Sequence, residues 1–178
     1  MPMRPIALLF LTLSLHACAA RATRVPAATS PPPAPWNSVV LNQADIPSVF
    51  LAQWRQAENR ATCAPFAFVK TAAGAQPRAA TFSGGWAVAY DLPTQRSAFG
   101  IAGTGSRPTD ATYSGWTHHI EWADGSRADY GLEGGTGPNQ LAYLRIAGQG
   151  CLYNVWSRIS REHLEELLGA IRRVDGAL

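Results

Sequence analysis

The sequence has little of what identifies a membrane-spanning, nucleic-acid-binding or thiol-redox protein. Its longest nearly continuous apolar run, residues 6–15, is about half the roughly 20 residues that a bilayer-spanning helix needs. The formal net charge is +3 over 178 residues without a basic cluster, so we expect no nucleic-acid partner. Only three cysteines occur and none belongs to a Cys-x-x-Cys pair, which argues against a reactive thiol site.

Sequence motifs for catalysis or cofactor binding are also missing. The Gly-rich segment 103–107 lacks the Gly-Lys-Ser/Thr ending of a phosphate-binding loop, and no helical pattern follows it, so we interpret it as a turn. Ser83 and Ser114 do not lie in a Gly-x-Ser-x-Gly motif, and no clear His and Asp positions complete a triad. We therefore expect no cofactor, and the sequence names no reaction.

An export signal is present at the N-terminus. Arg4 precedes the apolar run, which ends at Leu15-His16-Ala17-Cys18. This segment resembles the lipobox of Gram-negative bacterial lipoproteins. The resemblance implies a signal peptide over residues 1–17, cleavage before Cys18, and acylation of the Cys18 thiol and of the new α-amino group. Ala19 in place of Asp implies sorting to the outer membrane, with the protein facing the periplasm.

The segment that follows predicts a tether and then one domain. Residues 18–35 are rich in Ala, Thr and Pro, a composition that favours an extended, semi-rigid chain. Trp36 marks the expected start of the folded part, and residues 36–178 are enough for a single domain with a substantial core.

The two remaining cysteines predict a disulfide. Once Cys18 is assigned to the lipid, Cys63 and Cys151 form an even pair in an oxidising compartment. Their bond would close a loop of nearly 90 residues, for which the chain-entropy estimate of stabilisation is about 4 kcal/mol.

Periodicity predicts an α+β domain. Apolar residues at three- and four-residue steps indicate an N-terminal helix over 47–59, and an apolar stripe behind the N-cap Ser160 indicates a C-terminal amphipathic helix over 160–174. Between them lie about six or seven strands, at 66–71, 81–92, 97–102, 116–123, 128–132, 141–147 and 151–157. We expect one antiparallel sheet with both helices packed on it.

Two finer features concern the strands. A three-residue loop at residues 123–125, with Gly125 in the left-handed conformation, places Ile120 opposite Ala128 and Glu121 opposite Arg127. The same register places His118 opposite Tyr130 and His119 opposite Asp129. Separately, segments 81–86 and 112–116 resemble each other, as do 101–105 and 146–150, which is consistent with a duplicated β-unit.

The best polar constellation is His119, Glu121 and Asp129 on one face of this hairpin. An imidazole and two carboxylates could hold a divalent metal or act as acid and base. The plainer interpretation is two cross-strand pairs, His119 with Asp129 and Glu121 with Arg127, on a solvated face. His118 is expected at the edge of the core, hydrogen-bonded to a neighbour.

Two classes of function remain open. The first is a non-catalytic binding, inhibitory or protective protein that acts on another envelope protein or a cell-wall component, with Gly-rich loops at 103–110 and 133–140 available for contact. The second is an enzyme that uses His119, Glu121 and Asp129. Aromatic residues alternating on the strands could form a carbohydrate platform, although at strand period they are more often core; these are Trp86, Tyr90, Trp116, Trp122 and Trp156. We favour binding.

Overall fold

A computed structural model of the chain describes residues 30–106, 116–135 and 139–175. The predicted signal peptide and most of the predicted tether, including Cys18 and Ala19, lie outside these residues. The strands are β1 (Val40–Leu41), β2 (Phe66–Phe68), β3 (Gln76–Ala80), β4 (Trp86–Leu92), β5 (Gln95–Gly103), β6 (His118–Glu121), β7 (Arg127–Leu132), β8 (Gln140–Arg145), β9 (Tyr153–Ser157) and β10 (Ile171–Val174), and the helices are α1 (Ser48–Gln56) and α2 (Arg161–Ala170).

The strands form two sheets. Seven of them make an antiparallel sheet in the order β3-β4-β5-β9-β8-β7-β6. A smaller sheet has the order β1-β10-β2, in which β1 runs parallel to β10 and β2 antiparallel to it. The predicted α+β class, with an antiparallel sheet of about seven strands, is confirmed.

Both helices lie on one face of the large sheet because strand alternation sends the largest apolar side chains to that face. Phe50 of α1 contacts Trp86 and Tyr90 of β4, with ring centroids 6.5 and 6.3 Å apart. His163 of α2 stands edge-on to Phe99 of β5 at 5.0 Å. The buried cluster on this face includes Val88, Ile101, Tyr153, Val155, Leu164 and Leu168.

Helix α2 begins as the sequence predicts but ends earlier. The Ser160 side chain accepts a hydrogen bond from the His163 N–H at 3.1 Å, which confirms the N-cap. The helix stops at Ala170, so the predicted helical end at Val174 is wrong. From Ile171 the chain is extended and forms β10, since β-branched Ile171 and Val174 suit a strand and β1 and β2 pair with it on either side.

The sequence patterns also misplaced the N-terminal elements. Helix α1 is shorter than the predicted 47–59, and strands β1 and β3 were not predicted. Strand β3 contains Pro77 and no β-branched residue, so it lacks the composition of a strand; its proline is tolerated because β3 is an edge strand.

The folded part begins before Trp36, where the sequence analysis placed the boundary. The Ala123 N–H donates to the Pro32 carbonyl at 2.9 Å, and Ala34 is 3% exposed. Trp36 packs edge-on against Trp122, and its Nε1–H donates to Asp124 at 2.9 Å. The end of the predicted tether is therefore docked on the loop between β6 and β7.

The predicted disulfide is present. Cys63 and Cys151 are bonded, with their Cα atoms 5.4 Å apart and a separation of 88 positions in sequence. Both side chains are buried, and the bond joins the segment after α1 to the segment before β9. It therefore ties the N-terminal helix region to a central strand of the large sheet.

The predicted hairpin register is confirmed at all four pairs of β6 and β7. The loop has three residues, and Gly125 has a φ of 84°. The proposed duplication gains no support: one of the two similar stretches contains β4 and β5, whereas its counterpart spans β6, β7 and β8. Residues 112–115 of that comparison lie outside the described residues.

Candidate functional site

The three predicted site residues, His119, Glu121 and Asp129, do not form one cluster, because only His119 and Asp129 are in contact. His119 Nδ1 lies 2.9 Å from Asp129 Oδ1, and its side chain is 56% exposed. The other oxygen of Asp129 accepts from Arg145 at 3.2 Å, and Glu121 lies opposite Arg127. Among the described residues, no group of three His, Cys, Asp or Glu side chains could hold a metal ion. The three predicted residues thus share a face without converging on a point.

His118 takes part in a contact between the sheet and α2. Its ring stacks on Tyr130 at 5.2 Å, and its Nε2 lies 3.3 Å from Arg161. The Tyr130 hydroxyl donates to Glu165 at 2.9 Å, and burial, together with that carboxylate, raises the pKa of Tyr130 to about 12. A cleft of about 780 Å³ lies beside this group, but Arg161 already faces Glu162 and Glu165, so its charge is balanced.

One polar pair was missed by the sequence analysis. Ser157 Oγ lies 2.9 Å from His163 Nδ1 and also accepts from the Ile159 N–H at 3.1 Å. In the neutral imidazole the tautomer decides the direction of this bond: an unprotonated Nδ1 accepts from the serine hydroxyl, and an Nδ1–H donates to it. Ser157 is fully buried, so its hydroxyl is not accessible for nucleophilic attack. The pair fixes α2 against β9.

The buried position of His163 makes stability depend on pH. Burial lowers the pKa of His163 below its usual value, although Glu166 acts in the opposite direction. At a pH between the pKa of His163 in the folded protein and its value of about 6.5 in the unfolded chain, the unfolded chain binds a proton that the folded protein does not. The stability that the neutral imidazole contributes is therefore present above about pH 6.5 and is lost as the pH falls toward the pKa of the folded state.

We expect His163→Gln to reduce the loss of unfolding free energy between pH 7.5 and 5.5, measured by urea denaturation. The control is His119→Gln at an exposed site, and identical pH dependence in His163→Gln and the unmodified protein would contradict the assignment.

The face of the large sheet opposite the helices, here called the open face, has a floor of small residues. Ala87 and Ala89 of β4 lie opposite Ala102 and Gly100 of β5, respectively. The three alanines are almost fully buried yet do not belong to the main core cluster. Small side chains in the central strands leave a depression between the larger residues around them.

A groove of about 370 Å³ occupies this depression. Its floor and walls come from β4, β8 and β9, with further residues from the segment after β3, the start of β5 and the ends of the 133–139 loop. The lining residues are Ala80, Thr81, Phe82, Ala87, Ala89, Ser97, Glu133, Asn139, Leu141, Tyr143, Asn154 and Trp156. Among these described residues Glu133 is the one carboxylate and none is a lysine or arginine, although the Arg78 guanidinium donates to Ser97 beside them.

Trp156 is fixed by the floor of the groove. It lies opposite Gly100 in the register of β5 and β9, and a Cβ built on Gly100 would lie 2.3 Å from the indole Cζ2. The absence of a side chain at Gly100 therefore lets the six-membered ring rest against the β5 backbone. Trp156 stays half-buried, and the ring is held in place before any ligand arrives.

Two asparagines that line the groove each have an enclosed amide oxygen that lacks a donor. Asn154 Oδ1 and Asn139 Oδ1 are buried and have no hydrogen-bond partner among the described residues. The Asn139 Nδ2 donates to Glu133 at 2.7 Å, so this side chain is held at the groove wall. A buried acceptor without a donor costs about 1–3 kcal/mol, and because both oxygens are enclosed by protein atoms, an occupant of the groove does not reach them.

The aromatic residues divide between the two faces. Trp86, Tyr90 and Trp122 are buried in the core, as expected from strand period. Trp116 instead packs edge-on against Tyr143 of the open face, at 5.0 Å, and Trp156 lines the groove. The alternation of Ala87, Ala89, Gly100 and Ala102 was the sequence signal that could have indicated an open face of small residues.

Comparisons with protein-family models, with curated proteins and with solved structures gave no match. Neither of the helices in the described part of the chain is long and apolar enough to cross a membrane. The geometry of the described residues is therefore the basis for any functional proposal.

Proposed function

We propose that this chain is a lipoprotein, anchored in the outer membrane through Cys18, whose periplasmic domain acts by binding another envelope component. The groove in the open face is its binding site, and His119 and Glu121 lie on the same face but outside the groove. The observation that carries the proposal is the groove, in which the Trp156 ring rests against the β5 backbone and is surrounded by apolar and uncharged polar side chains. An apolar wall with a few placed polar groups is typical of a ligand site.

Binding accounts for the groove better than catalysis does. The exposed His119 ring contacts Asp129, which Arg145 also holds, and Glu121 lies opposite Arg127, so these residues lack the convergence typical of an acid–base site. Glu133 is the one carboxylate among the groove residues, which include no histidine. An ordered aromatic wall with polar side chains around it requires only a ligand of matching shape.

The proposed membrane anchoring through Cys18 depends on the signal peptide and lipobox that precede the folded domain. Mass spectrometry of the mature protein should find an N-terminal Cys18 that carries acyl chains, because the lipobox resemblance implies cleavage before it. Cys18→Ser should release the domain from the membrane fraction or leave its precursor uncleaved. An unmodified N-terminus at another residue would contradict this part of the proposal.

Binding through the groove and catalysis at His119 and Glu121 predict opposite results for variants at these two places. The full-length protein in detergent is titrated against an immobilised envelope fraction that contains outer membrane and cell wall. We expect the double variant His119→Ala/Glu121→Ala to bind as the unmodified protein does. We expect Trp156→Ala to weaken binding by about tenfold or more, because loss of an aromatic anchor typically costs 1–2 kcal/mol or more. The reverse pattern would favour the alternative site.

A further inference from the structure

Strand β1 is an edge of the small sheet, and apolar side chains are exposed along it. It pairs with β10 on one side and with no other strand in the described part of the chain. Val39 and Val40 are 54% and 48% exposed. Residues 38–42 contain neither a charged residue nor a proline, which are the residues that usually keep edge strands from pairing with other chains.

The other sheet edges formed by the described strands do have such protection. Strand β3 contains Pro77 and Arg78. Strand β6 contains Glu121, and the N–H of Ala123 just beyond it donates to Pro32 of the docked tether end. Strand β2 is buried along its whole length. Strand β1 is therefore the edge that is open to a strand of another chain.

The backbone of β1 presents one pair of hydrogen-bonding groups to such a strand. The Leu41 carbonyl accepts from the Asp175 N–H at 2.8 Å, so Leu41 directs its backbone groups toward β10. Because successive residues of a strand direct these groups to opposite sides, the N–H and C=O of Val40 point away from β10. Neither group has a partner among the described residues.

We infer that β1 pairs with β1 of a second copy of this chain, antiparallel, with the two-fold axis beside Val40. The two Val40 residues then exchange both of their free hydrogen bonds, and Val39 of each copy lies opposite Leu41 of the other. A two-fold contact requires a surface that is complementary to itself. This edge meets that requirement, because its copy brings apolar side chains and no like charge.

The nearest charge on β10 permits this pairing. Arg173 is exposed and lies beside Val40 in the register of β1 and β10. In the paired copies, three interstrand spacings, about 14 Å in all, separate the two Arg173 residues. This distance exceeds the screening length of about 8–10 Å at 0.1–0.15 M salt, so their repulsion is weak.

The tether favours a second copy over another partner, a step that rests on the anchoring proposed above. Only the 3₁₀ turn Pro35–Asn37 and Ser38 separate the docked tether end from Val39. The tethers of two copies therefore begin near the pairing edge and lead to the same membrane. Confinement to one membrane raises the effective concentration, which compensates for a small contact area.

The test is cysteine crosslinking of the full-length protein in vesicles of phosphatidylethanolamine and phosphatidylglycerol. Val40→Cys places a cysteine of each copy beside the axis, where paired Cα atoms lie about 5.5 Å apart, a distance that a disulfide can span. Mild oxidation should give a linked dimer on a non-reducing gel. Val39→Cys should give about tenfold less, because its counterpart lies two residues further along the strand. Val69→Cys, which is as exposed as position 40, is the matched control.

Energy transfer between copies labelled on Lys70, the one lysine in the sequence, tests pairing without added thiols. Val40→Glu places two like charges beside the axis and should abolish the transfer. Ile159→Glu, at a residue that is 44% exposed and outside β1, should leave it unchanged. Equal crosslinking at positions 39, 40 and 69, or energy transfer that Val40→Glu does not reduce, would overturn the inference.

Failure of the proposed function gives a different result. Protein that does not associate with the vesicles would contradict anchoring through Cys18, and the same crosslinking at high protein concentration in solution would then decide whether β1 pairs. Trp156→Ala, which should weaken envelope binding, should leave the Val40→Cys dimer unchanged because the groove and β1 belong to different sheets.

Discussion

Replacing Cys63 and Cys151 together with alanine is expected to lower the free energy of unfolding by about 4 kcal/mol in the chain-entropy estimate. The disulfide closes a loop of 88 residues, so its loss frees a large part of the unfolded chain. Small domains are typically stable by about 5–15 kcal/mol, and such a loss would remove a large share. Replacing both residues avoids a free thiol that could form wrong disulfides.

The measurement is urea denaturation of the double alanine variant and of the unmodified, oxidised protein at the same pH. The unmodified protein with excess reductant serves as the control, because it loses the bond without losing side-chain volume. We expect a similar loss of stability in both cases. A loss below about 1 kcal/mol in each would show that the bond contributes far less than the loop length implies.

Replacing Leu168 with Ala is expected to lower the free energy of unfolding by about 2–5 kcal/mol. Leu168 is fully buried on the face of α2 that contacts β9, β8 and β2, and Leu164 is buried beside it. Truncation there leaves a cavity between the helix and both sheets. The matched control is Glu166→Ala, an exposed position on the same helix, where we expect a change within about 0.5 kcal/mol.

This comparison isolates packing from helix propensity, since both changes introduce alanine in the same helix. Unfolding by urea, followed by circular dichroism, gives both values. Equal effects of Leu168→Ala and Glu166→Ala would mean that α2 does not rest on the sheets as described here.

The β6–β7 hairpin shows what local sequence determines. Strict alternation and one glycine after Asp124 were enough to predict its loop length and all four residue pairs. A shift by one residue would have placed Asp129 and Arg127 on the apolar face, so few registers were acceptable. The N-cap at Ser160 was equally local, because its partner is the N–H three residues later.

Tertiary pairing explains the predictions that were wrong. Ile171 and Val174 continue the helical apolar spacing of α2, and only the neighbouring strands β1 and β2 make that segment extended. Strand β3 has the composition of a loop, and its pairing with β4 decides its conformation. The docking of Pro32 on Ala123 likewise joins segments about 90 residues apart in sequence.

The groove was not predicted because its residues belong to different strands. Trp156 and Tyr143 alternate with buried residues just as core aromatics would, so periodicity alone does not assign them to a face. The Ser157–His163 pair similarly depends on the position of α2 on β9. In contrast, His119 and Glu121 attracted attention in the sequence because they lie close together along one strand, where the structure shows a solvated surface.

Site-specific photocrosslinking in intact cells tests most directly whether the open face is the binding surface. A photoreactive phenylalanine analogue replaces Thr81, at the exposed rim of the groove, or Glu166, on the exposed side of α2. We predict a discrete crosslinked product from position 81 that disappears when Trp156→Ala is added, and none from position 166. Crosslinking from position 166 alone, or a product from position 81 that is indifferent to Trp156→Ala, would contradict the account.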